Sequence, residues 1–496
     1  MTVLGPDQST LTAACVNIGS GTIPSLTLPV AGAYTVVVDP SGTGDRGTRR
    51  RRDDRAVGRH ATIRHGRRAV TVPVTLRATT EGLVDRFDAP DRRPVTDFDV
   101  FAQESSAASD QAWRELRRQC PVSWTPRNGG HWTLAGYEEV TGAFRDWETF
   151  SSERLDPELC AISIASSRIP VMVPEEADPP RWHGYRRVLA ELLSPGAVER
   201  LRPRVEHWVD HQIDQFIETG SAELAHDLSV PVPAMVTMEW LGWPREEWLV
   251  AAGTFHEMAK HRPGSDGMAA AVERFGWLGD RITAEVAERR RHPRDDAMSL
   301  IANHEQDGER LTLEDASSIV MLTIGGGVDT TTALTSAALV HLGRNAHDRD
   351  RLIADYGVLD VATEEFLRFY PPARTHARTV ARDSEFAGCV LRAGDRVVLS
   401  EIAANHDERS FADADRFVID RFPNRHVSFG VGIHRCVGSH LARLEFKTMV
   451  RRVLERLPNF ALDDDGVVEY PNWSMLGGWA AIPVTFSPGA VALPSG

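Results

Sequence analysis

The segment Ser428-Phe429-Gly430-Val431-Gly432-Ile433-His434-Arg435-Cys436-Val437-Gly438 carries residue types that can hold a metal. Gly430 and Gly432 let the backbone turn tightly against something flat and large. Beyond Gly438, Phe446, Val450, Val453 and Leu457 recur at i, i+4, i+7 and i+11, the apolar stripe of a helix. Cys436 is therefore expected at a helix N-terminus, where backbone N–H groups and the positive dipole end favour thiolate over thiol. A thiolate beside a glycine-rich turn is a good axial ligand for a macrocycle-bound iron. A lone cysteine at such a place is otherwise a small buried residue.

Three further stretches carry chemistry. Residues 313–342 read as one helix, with Thr312 and Asp315 resembling a capping box and Gly343 a stop. About 30 residues span roughly 45 Å, enough to cross a domain. Its middle is Gly325-Gly326-Gly327-Val328-Asp329-Thr330-Thr331-Thr332. Each interior glycine costs about 1 kcal/mol relative to alanine. Close approach of a large ligand or local opening of the helix would account for three together. Asp329 and Thr330 supply a carboxylate and a hydroxyl; threonines back-bonding to the previous turn and an exposed aspartate are the plainer alternative. Next, Asp178-Pro179-Pro180-Arg181-Trp182-His183-Gly184-Tyr185-Arg186-Arg187 reads as a Pro-led helix start with Trp182 and Arg186 one turn apart. Last, Glu365 and Arg368 lie at i, i+3 of a helix that ends at Pro371-Pro372, by default a surface ion pair worth under about 1 kcal/mol.

Phe429, Gly430, Gly432, His434, Cys436 and Gly438 together resemble the heme-binding loop of the cytochrome P450 family. Gly326, Gly327, Asp329 and Thr330 resemble that family's oxygen-side helix. Trp182 with Arg186 match its propionate-binding pair without a gap, and His183 with Arg187 match with a shift of one residue; the first pair is preferred. The resemblance covers residues 87–486. It implies a mainly α protein with a small β part, built around heme b (iron protoporphyrin IX) ligated by Cys436. It further implies that Arg378 and His434 join Trp182 and Arg186 at the propionates. Glu365, Arg368 and Arg421 would form a buried network behind the heme. Residues 373–375 and 476–479 would border the substrate, and Arg374 could pair with an acidic substrate group or face solvent. Asp329 and Thr330 would relay protons for oxygen activation.

The implied activity is insertion of one atom of dioxygen into a small organic substrate, by hydroxylation or epoxidation. No electron-transfer domain follows Phe486, so electrons are expected from a separate ferredoxin and ferredoxin reductase. Arg186, Arg187, Arg435 and Arg443 are candidates for the docking face. Two other readings stay open. One is a same-fold peroxygenase or oxidative-coupling enzyme. The other is a heme carrier or sensor without turnover, against which the Asp329–Thr330 pair speaks.

The elements that must position these residues follow from the rest of the chain. Its 496 residues are 42% hydrophobic, enough for a large core. The net charge of -14 argues against nucleic acid as the main partner. Only Lys260 and Lys447 are lysines. The five cysteines are scattered with no CxxC, which suggests a reducing compartment, no disulfide framework and no zinc cluster. No long apolar run or secretory signal is evident, so a monomer in the cytoplasm, off the membrane, is expected.

Residues 1–83 differ from the rest. A strand-like stretch at 22–38 precedes an Arg-, Gly- and Asp-rich one at 46–77 with the run Arg49-Arg50-Arg51-Arg52. This segment is expected to be disordered or not native, and residues 84–496 to form the catalytic domain. Within that domain, short strands at 122–124 and 131–134 flank Asn128-Gly129-Gly130, a helix covers 137–144, and 153–176 is irregular. A pair of lid helices at 246–291, broken at 261–264, is expected over the substrate.

Overall fold

The computed structural model describes residues 93–492 except 103–104, 158, 165–169, 260, 262–264, 307 and 472–473, with residue 259 by its backbone alone. Before residue 93 it describes the backbone of five strands. Thr2–Leu4, Thr10–Ala13 and Thr35–Val37 form one small sheet, and Gly58–His65 pairs with Arg68–Thr75 inside the arginine-rich stretch. The remaining expectations for residues 1–83 lie outside the described residues, as do Trp473 and most of the break at 261–264.

The long helix Leu313–Arg344 is the axis of the fold. At its start the Thr312 hydroxyl accepts from the Asp315 N–H at 3.0 Å and donates to the Asp315 carboxylate at 2.8 Å, so the expected cap forms. Its other end differs from expectation. Gly343 is not a stop: a Cβ there would lie 3.1 Å from Leu462 Cβ, so this glycine admits a neighbour while the helix runs on. The helix is also continuous through Gly325-Gly326-Gly327. Around it pack Pro231–Leu241, Trp248–Ala259, Asp266–Arg291 and Ser439–Arg456. Their buried faces join in one apolar core with Ile319, Val320, Ile324, Phe446, Val450 and Val453.

A five-stranded sheet lies to one side. Its order is Val122–Thr125, His131–Leu134, Arg396–Ser400, Thr375–Val380, Phe150–Ser151. His131–Leu134 runs parallel to Arg396–Ser400 with Trp132 opposite Val397, and the other pairs are antiparallel. The helix Tyr137–Arg145 packs on this sheet through Val140, Ala143 and Phe144. The first helix of this part spans Ser106–Gln119, and Ser105 caps it by accepting from the Ala108 N–H at 3.2 Å. The lid pair is Trp248–Ala259 and Asp266–Arg291.

Candidate functional site

Cys436 stands at the end of a loop locked by its own backbone. The Cys436 N–H donates to the Phe429 carbonyl at 2.8 Å, and the Gly430 N–H to that of Val427 at 2.7 Å. Gly430 has φ +63° and open space where a Cβ would stand. Gly432 has another reason: at φ +79°, a Cβ there would lie 2.5 Å from the Phe144 carbonyl oxygen. It is the chain's own helix, not a ligand, that Gly432 accommodates. Gly438 caps the helix Ser439–Arg456. The Phe429 ring is covered by the Arg443 guanidinium 4.5 Å above its centroid.

The Cys436 side chain keeps an accessible face while protein atoms crowd round it. Burial pushes its thiol up, while the Gly438 backbone N–H and the Arg186 and Arg435 charges pull it down. The expected depression by the helix N-terminus is therefore present but outweighed. A coordinating cation reverses this balance, since a metal-bound thiol is deprotonated outright.

Trp182 and Arg186, from the helix Arg181–Leu192, lie against this loop. Arg186 stands 6.0 Å over the Trp182 ring and donates to the Arg435 carbonyl at 2.5 Å. The Trp182 and His434 rings are 6.1 Å apart. The shifted pair, His183 and Arg187, is exposed. Trp182 Nε1 and His434 Nε2 are both buried and find no hydrogen-bond partner in the protein, the nearest approach being Asp178 at 3.5 Å from His434. Burial holds the His434 imidazole below its ordinary value, with Asp178 opposing. Arg378 is buried on the strand Thr375–Val380 and donates to the Ala377 carbonyl at 2.7 Å. A buried indole donor without a partner, a buried imidazole with one long contact and a buried guanidinium are what a carboxylate-bearing ligand requires. The donor set thus fits heme propionates.

Sequence reasoning missed two acids here. Asp178 accepts from Ser151 Oγ at 2.5 Å and from the Ser152 N–H at 3.2 Å. Glu175 lies 3.5 Å from His376, with the charges of Arg378 and His434 also acting on it. Asp178 heads the stretch that carries Trp182 and Arg186 but was given no role, and Glu175 belongs to no spacing pattern; the irregular backbone before that helix brings both in.

The central helix presents the other side. Gly325 and Gly327 are packing glycines: added Cβ atoms would lie 2.3 Å from Phe255 and 2.7 Å from Thr237. Gly326 has open space, the mark of a face that a flat group can approach. The Thr330 hydroxyl donates to the Gly326 carbonyl at 2.9 Å, one turn back. Asp329 is buried, and its carboxylate lies 3.2 Å from His256 Nδ1.

Behind the cysteine loop, Glu365 and Arg368 are fully buried. Arg368 donates Nε and Nη2 to the two Glu365 oxygens at 2.8 Å each, and Arg421 Nε adds a bond at 3.0 Å. Asn424 and the Val418 N–H complete the carboxylate. This is an interior network, not a surface pair.

Two expectations need correction. Arg374 is buried, paired with Asp110 and donating to Ser109 Oγ at 3.1 Å. It neither faces solvent nor offers an uncompensated charge to a substrate. Arg443 makes a two-point pair with Glu364 at 2.7 Å, so of the four basic residues only Arg187 and Arg435 stand exposed. The stretch 476–479 does lie against residues 372–375: Leu476 bridges Ala373, and the Gly477 N–H donates to the Pro372 carbonyl at 3.1 Å.

Among the described residues no helix is long and apolar enough to cross a membrane. Residues 278–476 match the family model Cytochrome P450. The chain is 34% identical over 418 residues to the steroid C26-monooxygenase of Mycolicibacterium smegmatis, covering 81% of this chain and 98% of that protein. It is 30% identical to the cytochrome P450 monooxygenase PikC of Streptomyces venezuelae, covering 80% and 96%. The Mycobacterium marinum cytochrome P450 CYP268A2, solved with pseudoionone, superposes with a TM-score of 0.70 at 27% identity over 77% of this chain and 95% of that one. The chain therefore belongs to the cytochrome P450 family, as a heme-dependent monooxygenase that uses dioxygen and electrons from a redox partner on an organic substrate.

Proposed function

We propose that Cys436 is the axial thiolate of a heme b, with Trp182, Arg186, Arg378 and His434 on its propionates. The observation that carries this reading is the buried Trp182 Nε1, which has no hydrogen-bond partner in the protein, beside His434, whose Nε2 has only a long 3.5 Å approach from Asp178. With no CxxC in the chain, covalent heme attachment has no sequence support. When bound, the heme iron activates dioxygen, and thiolate donation assists cleavage of its O–O bond.

The protein's own residues then do three things. Trp182, His434 and the Arg378 guanidinium orient the propionate edge through charge-assisted hydrogen bonds. The Gly326 face lets the macrocycle approach the central helix, while Phe429, Gly430 and Gly438 shape the loop beneath. Thr330 Oγ, already donating to Gly326, keeps lone pairs with which to accept from a water, and Asp329 holds or passes a proton beside it.

The substrate is lipophilic, and the reaction a hydroxylation. Relatives named steroid C26-monooxygenase and methyl-branched lipid omega-hydroxylase support the class. So does the internal pairing of Arg374, which leaves that wall without a free cation for an acidic group. Electrons come from a ferredoxin and its reductase, docking at Arg187 and Arg435 on the thiolate side. The catalytic domain is residues 84–496, and residues 1–83 are dispensable for heme incorporation, which their deletion tests. The enzyme works as a monomer in the cytoplasm, where the scattered cysteines stay reduced.

Cys436→Ser tests the ligand. The expected result is complete loss of the thiolate-type spectrum of the ferrous–carbon monoxide form; its persistence overturns the assignment.

A further inference from the structure

The oxygen-side carboxylate does not stand alone. His256, on the lid helix Trp248–Ala259, is buried, and its Nδ1 lies 3.2 Å from Asp329 Oδ1. The Tyr470 hydroxyl lies 3.3 Å from the same nitrogen, with the two rings edge to face at 5.8 Å. Tyr470 is itself fixed from below: its N–H donates to the Gly478 carbonyl at 3.0 Å, and a Cβ on Gly478 would lie 2.3 Å from its ring. One imidazole nitrogen thus joins the central helix, the lid helix and the end of the strand Val468–Glu469, which pairs with Trp479–Ala481.

His256 also differs from the histidine on the central helix itself. His341, on the same central helix, has both ring nitrogens satisfied, by Tyr370 and Asp348 at 2.9 Å each. His256 Nε2 is buried with no hydrogen-bond partner in the protein. An unpartnered ring nitrogen is not by itself a mark of function, since buried His131 has neither nitrogen partnered; what marks His256 is that its other nitrogen faces a buried carboxylate on the central helix. Leaving one side unmet while the other holds a buried carboxylate is costly unless the carboxylate must be held in one place. The other ionisable groups near this cluster are Glu223, from the strand Ser221–Glu223, and Glu257, the next lid residue.

We propose that His256 is a positioning residue for Asp329, holding its Oδ1 from the lid so that proton delivery is set only when the lid helix is seated. This rests on the reading that Asp329 serves proton delivery. The Nδ1–H donates to the carboxylate and fixes its rotamer. Movement of Trp248–Ala259 carries the donor away and leaves the carboxylate unheld.

His256→Asn and His256→Gln test this in the holoenzyme. The asparagine amide nitrogen reproduces the Nδ1 position, whereas that of glutamine reaches toward the Nε2 position. Dioxygen consumption is driven by NADPH through a ferredoxin and its reductase and measured in H2O and D2O. The ferrous–carbon monoxide spectrum reports integrity. His256→Asn is expected within about twofold of the parent. His256→Gln is expected about tenfold slower, a difference of about 1.4 kcal/mol in the barrier, with a larger solvent isotope effect. Equal rates in the two variants, both parent-like or both slow, overturn the proposal. Asp329→Asn distinguishes the failures. If it is slow while the two His256 variants match, the positioning role alone falls. If it is parent-like, the proton-delivery reading falls and takes this inference with it.

Discussion

Behind Cys436, Glu365 and Arg368 are fully buried, and five donors close on one carboxylate from two stretches of chain, its own helix and residues 418–424. Opposite, Asp329 is held by one contact of 3.2 Å from a histidine on the lid. The two sides therefore differ in kind. The thiolate side is an over-determined ionic network in the interior, where removing one member strands the others. Among the described residues, the oxygen side rests on one imidazole nitrogen from the neighbouring helix, which meets Asp329 and the Tyr470 hydroxyl. On the proposed reading, a ligand that must stay put calls for the first, and proton delivery set from the lid calls for the second.

The most severe way to break the contrast is Cys436→Ser, which is expected to abolish the thiolate-type spectrum altogether. Next is Glu365→Ala. It leaves Arg368 and Arg421 without their carboxylate and is expected to cost about 3–5 kcal/mol. Heme-loaded protein should fall to a small fraction of the parent yield; normal loading would show the network to be dispensable.

The oxygen side is sharpened by two neighbouring glycines. Gly325→Ala drives a Cβ to 2.3 Å from Phe255 on the lid helix and is expected to cost about 1–3 kcal/mol. Gly326→Ala meets no protein atom. It is expected to leave the apoprotein melting temperature unchanged or raised, yet to shift the heme absorption spectrum. Equal melting losses in the two would remove the distinction between a packing glycine and a ligand-facing one.

Arg435→Glu is a milder change on the thiolate side. It should slow reduction by the ferredoxin several-fold, more at low ionic strength, without altering substrate affinity. Unchanged reduction kinetics would move the docking face elsewhere.

The smallest effect is a pH dependence. Burial pushes Glu364 up, but Arg443 and His426 outweigh it and hold the carboxyl at about 2. Its folded pKa lies below the unfolded value of 4.5, so its contribution is present above pH 4.5 and lost as pH falls through 2. Glu364→Gln should therefore lower stability at neutral pH and flatten the acid limb of a denaturation curve. An unchanged limb would mean that this pair contributes nothing.

How far the site was legible depends on where its residues sit. Cys436, Asp329, Thr330 and the Trp182–Arg186 pair stand in short local patterns, and the resemblance to the cytochrome P450 family singled them out from plainer readings. The alternative His183–Arg187 register could not be rejected from spacing alone, because one residue of shift is about 100° of helix rotation, and rotation is set by packing. Arg374 was misread for a related reason. Its partner Asp110 lies 264 positions away, on a helix that only the fold brings alongside. Gly432 was read as turning against something flat and large, and Gly325 as serving either close approach of a ligand or local opening of the helix; each in fact makes room for the chain itself.

The sequence by itself determined the local chemistry: a cysteine before a helix, a capped helix with an acid and an alcohol at its centre, and a glutamate–arginine pair one turn apart. These depend on contacts within a few residues, which periodicity records. Only the tertiary structure decided which donors lack partners, which cations are neutralised, and that His256 and Tyr470 meet at Asp329. Such facts depend on burial and on groups hundreds of residues apart, and no local pattern carries them.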